Sequence, residues 1–393
     1  MPVSLLIRVA TYSALWQSSL IRPIWVVFLT SRGLSLAALG SAEALYHFGG
    51  LLAELPTGWL ADRWRTAHVL ALGCVITAAA LQLMQHASAF SSILVAMTLW
   101  GAGSAFHSGA LEAWLFRQLD ASGMSAAYAQ VYGRLSAIGL VAAAAASALG
   151  GWIAQQQQDY VSLFYAQTGL LFAAAVLALS LSDRTSRRVA GRLQADPREA
   201  AAAPPLSLRI LAFLGLRGFL ESTSTFSGIF AMPYLQMQTN STLVLGLSVA
   251  AANLAAMAGA ASAGGLGRIL PRRALCMGLI ACLGASLIAF ALLPSPVNIL
   301  AFALRSYFDW MLMPLLSAEA NERIGEPHRA TLLSVTGFTI ALLSMAGFPL
   351  GGAAATVLGL PLVFVIIGFA EIAALLAYAW LVPASAGEAD DRR

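Results

Sequence analysis

Glu43, His47 and Glu54 interrupt a run of residues that is otherwise apolar. At about 100° per residue they fall within about 40° of one another on one helix face. A helix that is apolar all round except for one ionisable stripe belongs in a membrane, with the stripe turned away from lipid. Similar residues recur in other apolar runs. Arg217 and Glu221, and Arg305 and Asp309, have helical four-residue spacing, so each pair can bridge along its own helix. Arg22 lies at a depth comparable to Glu43, and because a buried Arg is costly unpaired, it is expected to pair with Glu43. Glu371 sits mid-run with no local partner, so it is either protonated at rest or paired with an Arg from another helix. Glu112 is about one turn from Arg117 and close in depth to Arg134, which reads as a structural or gating ion pair.

Carboxyl and imidazole groups in such places can carry a proton, hold a cationic solute or exchange partners between two conformations. The same residues also suit static roles: a hydrogen-bonded His47, or pairs that only neutralise themselves. A membrane enzyme is the alternative class. It would need a nucleophile with its base, a carboxylate pair or a metal-ligand set gathered near an interface. Here the ionisable residues are scattered one or two to a run, and no HExxH, P-loop or GxSxG element is present. No cofactor and no metal are expected.

The elements that must position these residues are transmembrane helices. Of 393 residues, 59% are hydrophobic and 10% charged. Mean hydropathy is +0.77, whereas a soluble domain is about 25% charged. Runs of about 20 apolar residues recur along the chain. They place spans at about 9–30, 38–61, 68–86, 91–116, 127–150, 160–182, 209–233, 243–267, 273–293, 297–318, 329–353 and 360–383. No cleavable leader is expected, because the first run is too long for one. The fold class is therefore all-α and integral to the membrane, with twelve transmembrane helices. The basic stretch 183–208 divides them into bundles at 1–182 and 209–384, and 385–393 forms a charged tail.

All 22 basic residues are Arg. Arg32 alone lies in an outer loop, and Arg22, Arg217 and Arg305 lie inside spans. The rest fall at inner loops, inner helix ends or the termini, which places both termini in the cytoplasm. A net charge of +4 needs no nucleic acid. Cys74, Cys276 and Cys282 each sit in an apolar run and are expected to be free, buried thiols. The halves look like parallel repeats. Gly58-Trp59-Leu60 corresponds to Gly264-Gly265-Leu266, Arg134 to Arg329, and Pro23 to Pro233. Trp16, Trp25, Tyr46, Phe48, Trp100, Phe106, Tyr234, Tyr307 and Trp310 suit a cavity lining, core packing or the interfacial belt.

The stretch 58–68, GWLADRWRTAH, resembles the inner-loop motif of the major facilitator superfamily, roughly Gly-x-Leu-Ala-Asp-Arg-x-Gly-Arg-Arg. Gly58, Leu60, Ala61, Asp62 and Arg63 match. Arg65 stands where the family has glycine, and Thr66 and Ala67 replace the closing basic pair. The segments 108–114, 132–136 and 321–334 resemble bacterial drug-export and related permeases. The resemblance implies two pseudo-symmetric six-helix bundles and a latch at Gly58, Asp62 and Arg63 that holds the outward-facing state. Arg117 and Arg134 are the nearest partners for it. Gly150 and Gly151 are present, but Ala146 and Ser147 stand where family antiporters often carry Gly-Pro.

The expected function is secondary transport of small amphipathic molecules by alternating access, as proton-coupled efflux from the bacterial inner membrane, by a monomer. Proton-coupled uptake of a nutrient or siderophore is the runner-up. A non-transporting membrane sensor is the remote alternative. The partners are a small-molecule substrate, protons and the lipid bilayer.

Overall fold

In lipid there is no water to satisfy backbone N–H and C=O groups, so apolar runs of this length must bond internally as helices. The structure, a computed structural model, describes residues 3–157, 160–181, 207–323 and 329–383. The linker and tail expected at 183–208 and 385–393 fall almost wholly outside these residues. Among the described residues every long element is an α-helix and there is no strand. In chain order these are α1 (Val3–Gln17), α2 (Trp25–Ser31), α3 (Leu36–Arg63), α4 (Thr66–His86), α5 (Phe90–Asp120), α6 (Tyr128–Gln157) and α7 (Val161–Leu179). They continue as α8 (Leu208–Thr239), α9 (Thr242–Ile269), α10 (Arg272–Leu292), α11 (Val297–Arg323), α12 (Arg329–Leu358) and α13 (Leu360–Leu381).

Among the described residues, eight helices are long and apolar enough to cross a membrane by length and composition alone. The others are α3, α5 and α8, of 28, 31 and 32 residues, which are diluted by charged and polar side chains, and the first crossing. That crossing is shared by α1 and α2. The expected unbroken span 9–30 is corrected here: residues 18–24 are not helical. Among the described residues, with α1 and α2 counted as one, the crossings number twelve, six before the linker and six after it.

The repeat read from short motifs extends to whole elements. α3 and α9 each have 28 residues, α4 and α10 each 21, and α6 and α12 each 30. Serine caps open two of the long helices. Ser35 accepts from the Ala38 N–H and Ser207 from the Ile210 N–H, each satisfying one free N-terminal donor. Arg8 of α1 donates to the Ser180 carbonyl after α7, and Arg209 of α8 donates to the Trp380 carbonyl of α13. The opening helix of each half thus ties down the end of its last one.

The chain divides into two compact units, Met1–Ala195 with Ser241–Ala250, and Asp196–Asn240 with Ala251–Arg393. The first has a core around Tyr12, Leu70, Cys74, Trp114 and Leu115. The second has one around Leu220, Cys276, Ile280, Leu312 and Tyr378. With lipid as apolar as leucine, helices associate through close backbone packing at small residues. A Cβ at Gly101 of α5 would lie 1.8 Å from the Tyr46 carbonyl oxygen of α3. In the second unit a Cβ at Gly259 of α9 would lie 2.1 Å from the Tyr307 carbonyl oxygen of α11. Leu376 and Trp380 of α13, with Phe172 and Val176 of α7, stay exposed as lipid-facing surface.

Cys74 and Cys276 are buried free thiols as expected. Cys282 is exposed, because it lies on the opposite side of α10 from the core residue Ile280.

Candidate functional site: buried ionisable groups in the two units

In the second unit, α8, α11 and α13 bring together residues far apart in sequence. Arg305 of α11 meets Glu371 of α13 in a two-point ion pair, with Nη1 2.8 Å from Oε2 and Nη2 2.7 Å from Oε1. Arg305 is 4% exposed and Glu371 0%. The pair is hydrogen-bonded on its other sides as well. Arg305 Nη1 donates to the Leu283 carbonyl at 2.9 Å, and the Thr223 hydroxyl donates to Glu371 Oε1 at 2.7 Å. Such saturation is what allows two charges to remain in a low-dielectric interior.

This geometry corrects the expected bridge between Arg305 and Asp309. The guanidinium turns to the second helix, where a carboxylate accepts two parallel bonds, and Asp309 accepts a hydrogen bond from the Ser224 hydroxyl at 2.9 Å instead. Ser224 in turn receives Arg305 Nη2 at 3.3 Å, so one hydroxyl links the pair to the neighbouring acid. Glu371, which has no partner along its own helix, gains one from α11. Arg217 and Glu221 do form the expected i,i+4 pair, loosely, at 3.9 Å. Arg217 Nε and Glu221 Oε2 are buried and without hydrogen-bond partners.

The first unit is built differently. Glu43 is 4% exposed and its Oε2 has no hydrogen-bond partner. Arg22 is exposed in the non-helical stretch 18–24. Its charge is felt at Glu43 and at Tyr46, yet it makes no ion pair with Glu43, contrary to expectation. The reason lies in the break, which holds Arg22 on a turn of its own. His47 is half-buried beside Tyr46, and Glu54 is exposed, so the stripe on α3 runs from a buried acid to an exposed one. Tyr46 donates to Ser104 at 3.1 Å, and Trp100 stands edge-on between Tyr46 and Trp25, at 5.8 and 5.7 Å. One turn further in, His107 stacks on Trp16 at 4.4 Å and shares a 2.9 Å hydrogen bond with Tyr12.

Gln167 of α7 keeps the break open. Its Oε1 accepts from the Leu20 N–H at 2.8 Å and its Nε2 donates to the Ser18 carbonyl at 3.1 Å. One side-chain amide therefore replaces two backbone partners that a continuous helix would have supplied. Gly150 of α6 makes room for it, since a Cβ there would come within 2.0 Å of the Leu20 oxygen.

At the end of α3 that the resemblance places inside, the helix continues through Gly58 to Arg63, where a polar turn was expected. The turn is confined to Trp64 and Arg65. Arg63 lies over the Trp59 ring at 4.2 Å. The side chain of Asp62 lies outside the described residues. The expected pairing of Glu112 with Arg117 or Arg134 is also corrected. Glu112 accepts from the Tyr132 hydroxyl at 2.8 Å, and Arg117 donates to Thr66 at 2.9 Å. Arg134 is exposed.

Reading the sequence missed Ser224, Thr223 and Gln167. Ser224 carried a signal, because it follows Arg217 and Glu221 at i+7 and i+3 on one face of α8. Gln167 is a lone amide in an apolar run, and no local feature says what it bonds.

A family model described as Major Facilitator Superfamily matches residues 9–348. The uncharacterised MFS-type transporter YxaM of Bacillus subtilis (strain 168) is 24% identical over 95 residues, which is 24% of each chain. Among solved structures, a mutant of the nucleoside transporter NupG is similar at TM-score 0.77 and 13% identity, covering 96% of this chain and 99% of that one. The POT family transporter PepTSo is similar at TM-score 0.77 and 13% identity, covering 97% and 98%. At such identities the likeness is one of fold. Twelve crossings among the described residues, buried ionisable groups in each half and a family model spanning most of the length lead to one conclusion: the chain belongs to the major facilitator superfamily and is a membrane transporter of that type.

Proposed function

We propose that this transporter is secondary active and works by alternating access, exporting small amphipathic molecules in exchange for protons. The observation that carries this reading is the network of Arg305, Glu371, Ser224 and Asp309 inside an otherwise apolar bundle. Ionisable groups at membrane depth are costly and are retained where a solute or a proton must be held. A carboxyl whose occupancy by a proton favours one facing state couples the two fluxes, because a ligand shifts an equilibrium only by its differential affinity. Arg22, Glu43, His47, Arg217, Glu221, Arg305, Asp309 and Glu371 serve substrate binding and proton coupling in this reading. Gly58, Asp62, Arg63, Glu112, Arg117 and Arg134 serve gating at the inner face. The chain is read as a monomer in the bacterial cytoplasmic membrane, and the bias of Arg toward inner loops supports the orientation with both termini inside.

The test is flux. Cells producing the protein are loaded with a fluorescent amphipathic solute such as ethidium, and its loss is followed with and without a protonophore. Export that collapses with the protonophore supports the reading. Proton-driven accumulation inside the cells would replace it with uptake by symport. Binding without flux in proteoliposomes would make the protein a sensor.

A further inference from the structure

We infer that Arg22 is the receptor for the charged group of an amphipathic organic anion carrying a single negative charge, and that the half-buried rings of Tyr46 and Trp100 receive its apolar body. The inference rests on the transport reading above and names the class of its solute.

The three arginines placed inside spans differ in their partners. Arg305 holds Glu371 through two bonds, and Arg217 is paired with Glu221. Arg22, among the described residues, makes no ion pair and no side-chain hydrogen bond. It is exposed, yet the seven residues of α2, on the order of 10 Å of helix, stand between it and Arg32 at the end of the crossing. At that depth an exposed side chain meets lipid or water, and a guanidinium in hydrocarbon is costly. Its surroundings decide between the two. Ile21, Pro23, Ile24 and Trp25 beside it are buried, and its charge is felt at Glu43 and Tyr46 on α3. Arg22 therefore turns toward a wetted face of the first unit.

The turn that carries it is a built feature. Pro23 has no N–H, the Gln167 amide bonds the Leu20 N–H and the Ser18 carbonyl, and Gly150 leaves room for the Leu20 oxygen. The fold thus fixes the guanidinium in place without giving it a counter-charge. Glu43 does not act as one. It is 4% exposed, and its Oε2 is a buried atom with no hydrogen-bond partner. A guanidinium keeps its charge at any pH at which a protein is folded, whereas a carboxyl can take up a proton. The charge that cannot be removed is the positive one.

The missing partner has a definite chemistry. The planar fork of N–H donors matches the two oxygens of a carboxylate, sulfonate or phosphate ester. One fork holds one such group. A second negative charge on the solute would lie unpaired near Glu43 and the rings, and a cation would be repelled. The rings receive the rest of the molecule. Trp100 stands edge-on to Tyr46 and to Trp25, and the Tyr46 hydroxyl is committed to Ser104, so ring surface is what Tyr46 offers a solute. A phospholipid headgroup carries the same anionic chemistry, and the test separates it from a soluble solute.

The full chain is placed in phosphatidylcholine nanodiscs at neutral pH, and binding is measured by calorimetry. The probes share one ring system: naphthoate, its neutral relative naphthamide, naphthalene dicarboxylate and naphthylmethylammonium. Naphthoate is expected to bind about tenfold or more tighter than each of the others, the effect of one charge-assisted contact. Arg22→Gln removes the preference for naphthoate over naphthamide, and Arg22→Lys retains a preference for the anion. Arg32→Gln, which removes the other exposed arginine of this crossing, leaves the preference unchanged. Should Arg22→Gln fail to fold, the probe series on the unaltered protein decides. Naphthamide, the dicarboxylate or the ammonium compound binding as tightly as naphthoate would overturn the inference, as would a preference that survives Arg22→Gln. Naphthoate binding lost in discs containing phosphatidylglycerol, and only in proteins that keep Arg22, would assign the receptor to a lipid headgroup and overturn the soluble solute. Naphthoate binding of the expected profile without naphthoate flux in proteoliposomes retires the transport reading and leaves the receptor. Flux of ethidium with no binding of naphthoate overturns the receptor and leaves the transport reading.

Discussion

Arg305 and Glu371 stand 66 residues apart in sequence and meet in a two-point ion pair of 2.7 and 2.8 Å that is almost wholly buried. Removing one member leaves the other as an uncompensated charge in an apolar bundle. Glu371→Gln or Arg305→Met is expected to destabilise the protein by about 3–5 kcal/mol. The double replacement Arg305→Met with Glu371→Leu is expected to recover most of that loss and to remain inactive. Thermal unfolding in detergent, read beside flux, separates the two effects. Recovery of flux in the double variant would show that the pair is only structural.

The Gln167 amide makes two bonds to the backbone of the first crossing. Gln167→Leu keeps the volume and strands the Leu20 N–H and the Ser18 carbonyl. The expected cost is about 1–3 kcal/mol for each group left unsatisfied. Gln167→Glu retains the acceptor for Leu20 but keeps the donor to Ser18 only as the neutral acid, so its cost relative to wild type grows as pH rises. Unfolding midpoints of the three proteins across pH check these costs.

Close helix contacts leave no space at certain glycines. A Cβ at Gly101 would meet the Tyr46 oxygen at 1.8 Å, and one at Gly259 the Tyr307 oxygen at 2.1 Å. Both oxygens belong to the backbone, so a helix must move. Gly101→Ala and Gly259→Ala are each expected to cost about 1–3 kcal/mol. Gly278→Ala, where a Cβ meets nothing within 4 Å, serves as the comparison and should leave the unfolding midpoint unchanged or slightly raised.

Glu43 is buried with one oxygen unbonded, and Arg22 does not reach it. Glu43→Gln replaces a group that can be charged with a neutral one of the same shape. Stability is expected to stay the same or to rise by about 1 kcal/mol, while proton-driven flux is lost. Counterflow of solute without a proton gradient should survive. Loss of folded protein on this substitution would show that Glu43 is a structural group.

Much of the fold is legible in the order of the residues. Long apolar runs leave the backbone no partner but itself, so helices follow from composition, and span count and the repeat follow from their spacing. Glu43 and Glu371 could be singled out as buried acids because charge is rare in such runs. Helical spacing also anticipated the contact of Arg217 with Glu221.

The pairings were decided elsewhere. Four-residue spacing offered Asp309 to Arg305 as readily as it offered Glu221 to Arg217, and only the approach of α13 brought the better acceptor, Glu371. The break at residues 18–24 has the same origin. No local residue dictates it, since the amide that replaces the missing backbone bonds comes from Gln167, 147 residues from Leu20. Sequence by itself determined which groups lie at membrane depth, because hydrocarbon tolerates only helices and few charges. Tertiary structure alone decided which of those groups satisfy one another, because a buried charge goes to the partner with the best geometry, and geometry across helices has no period in the sequence.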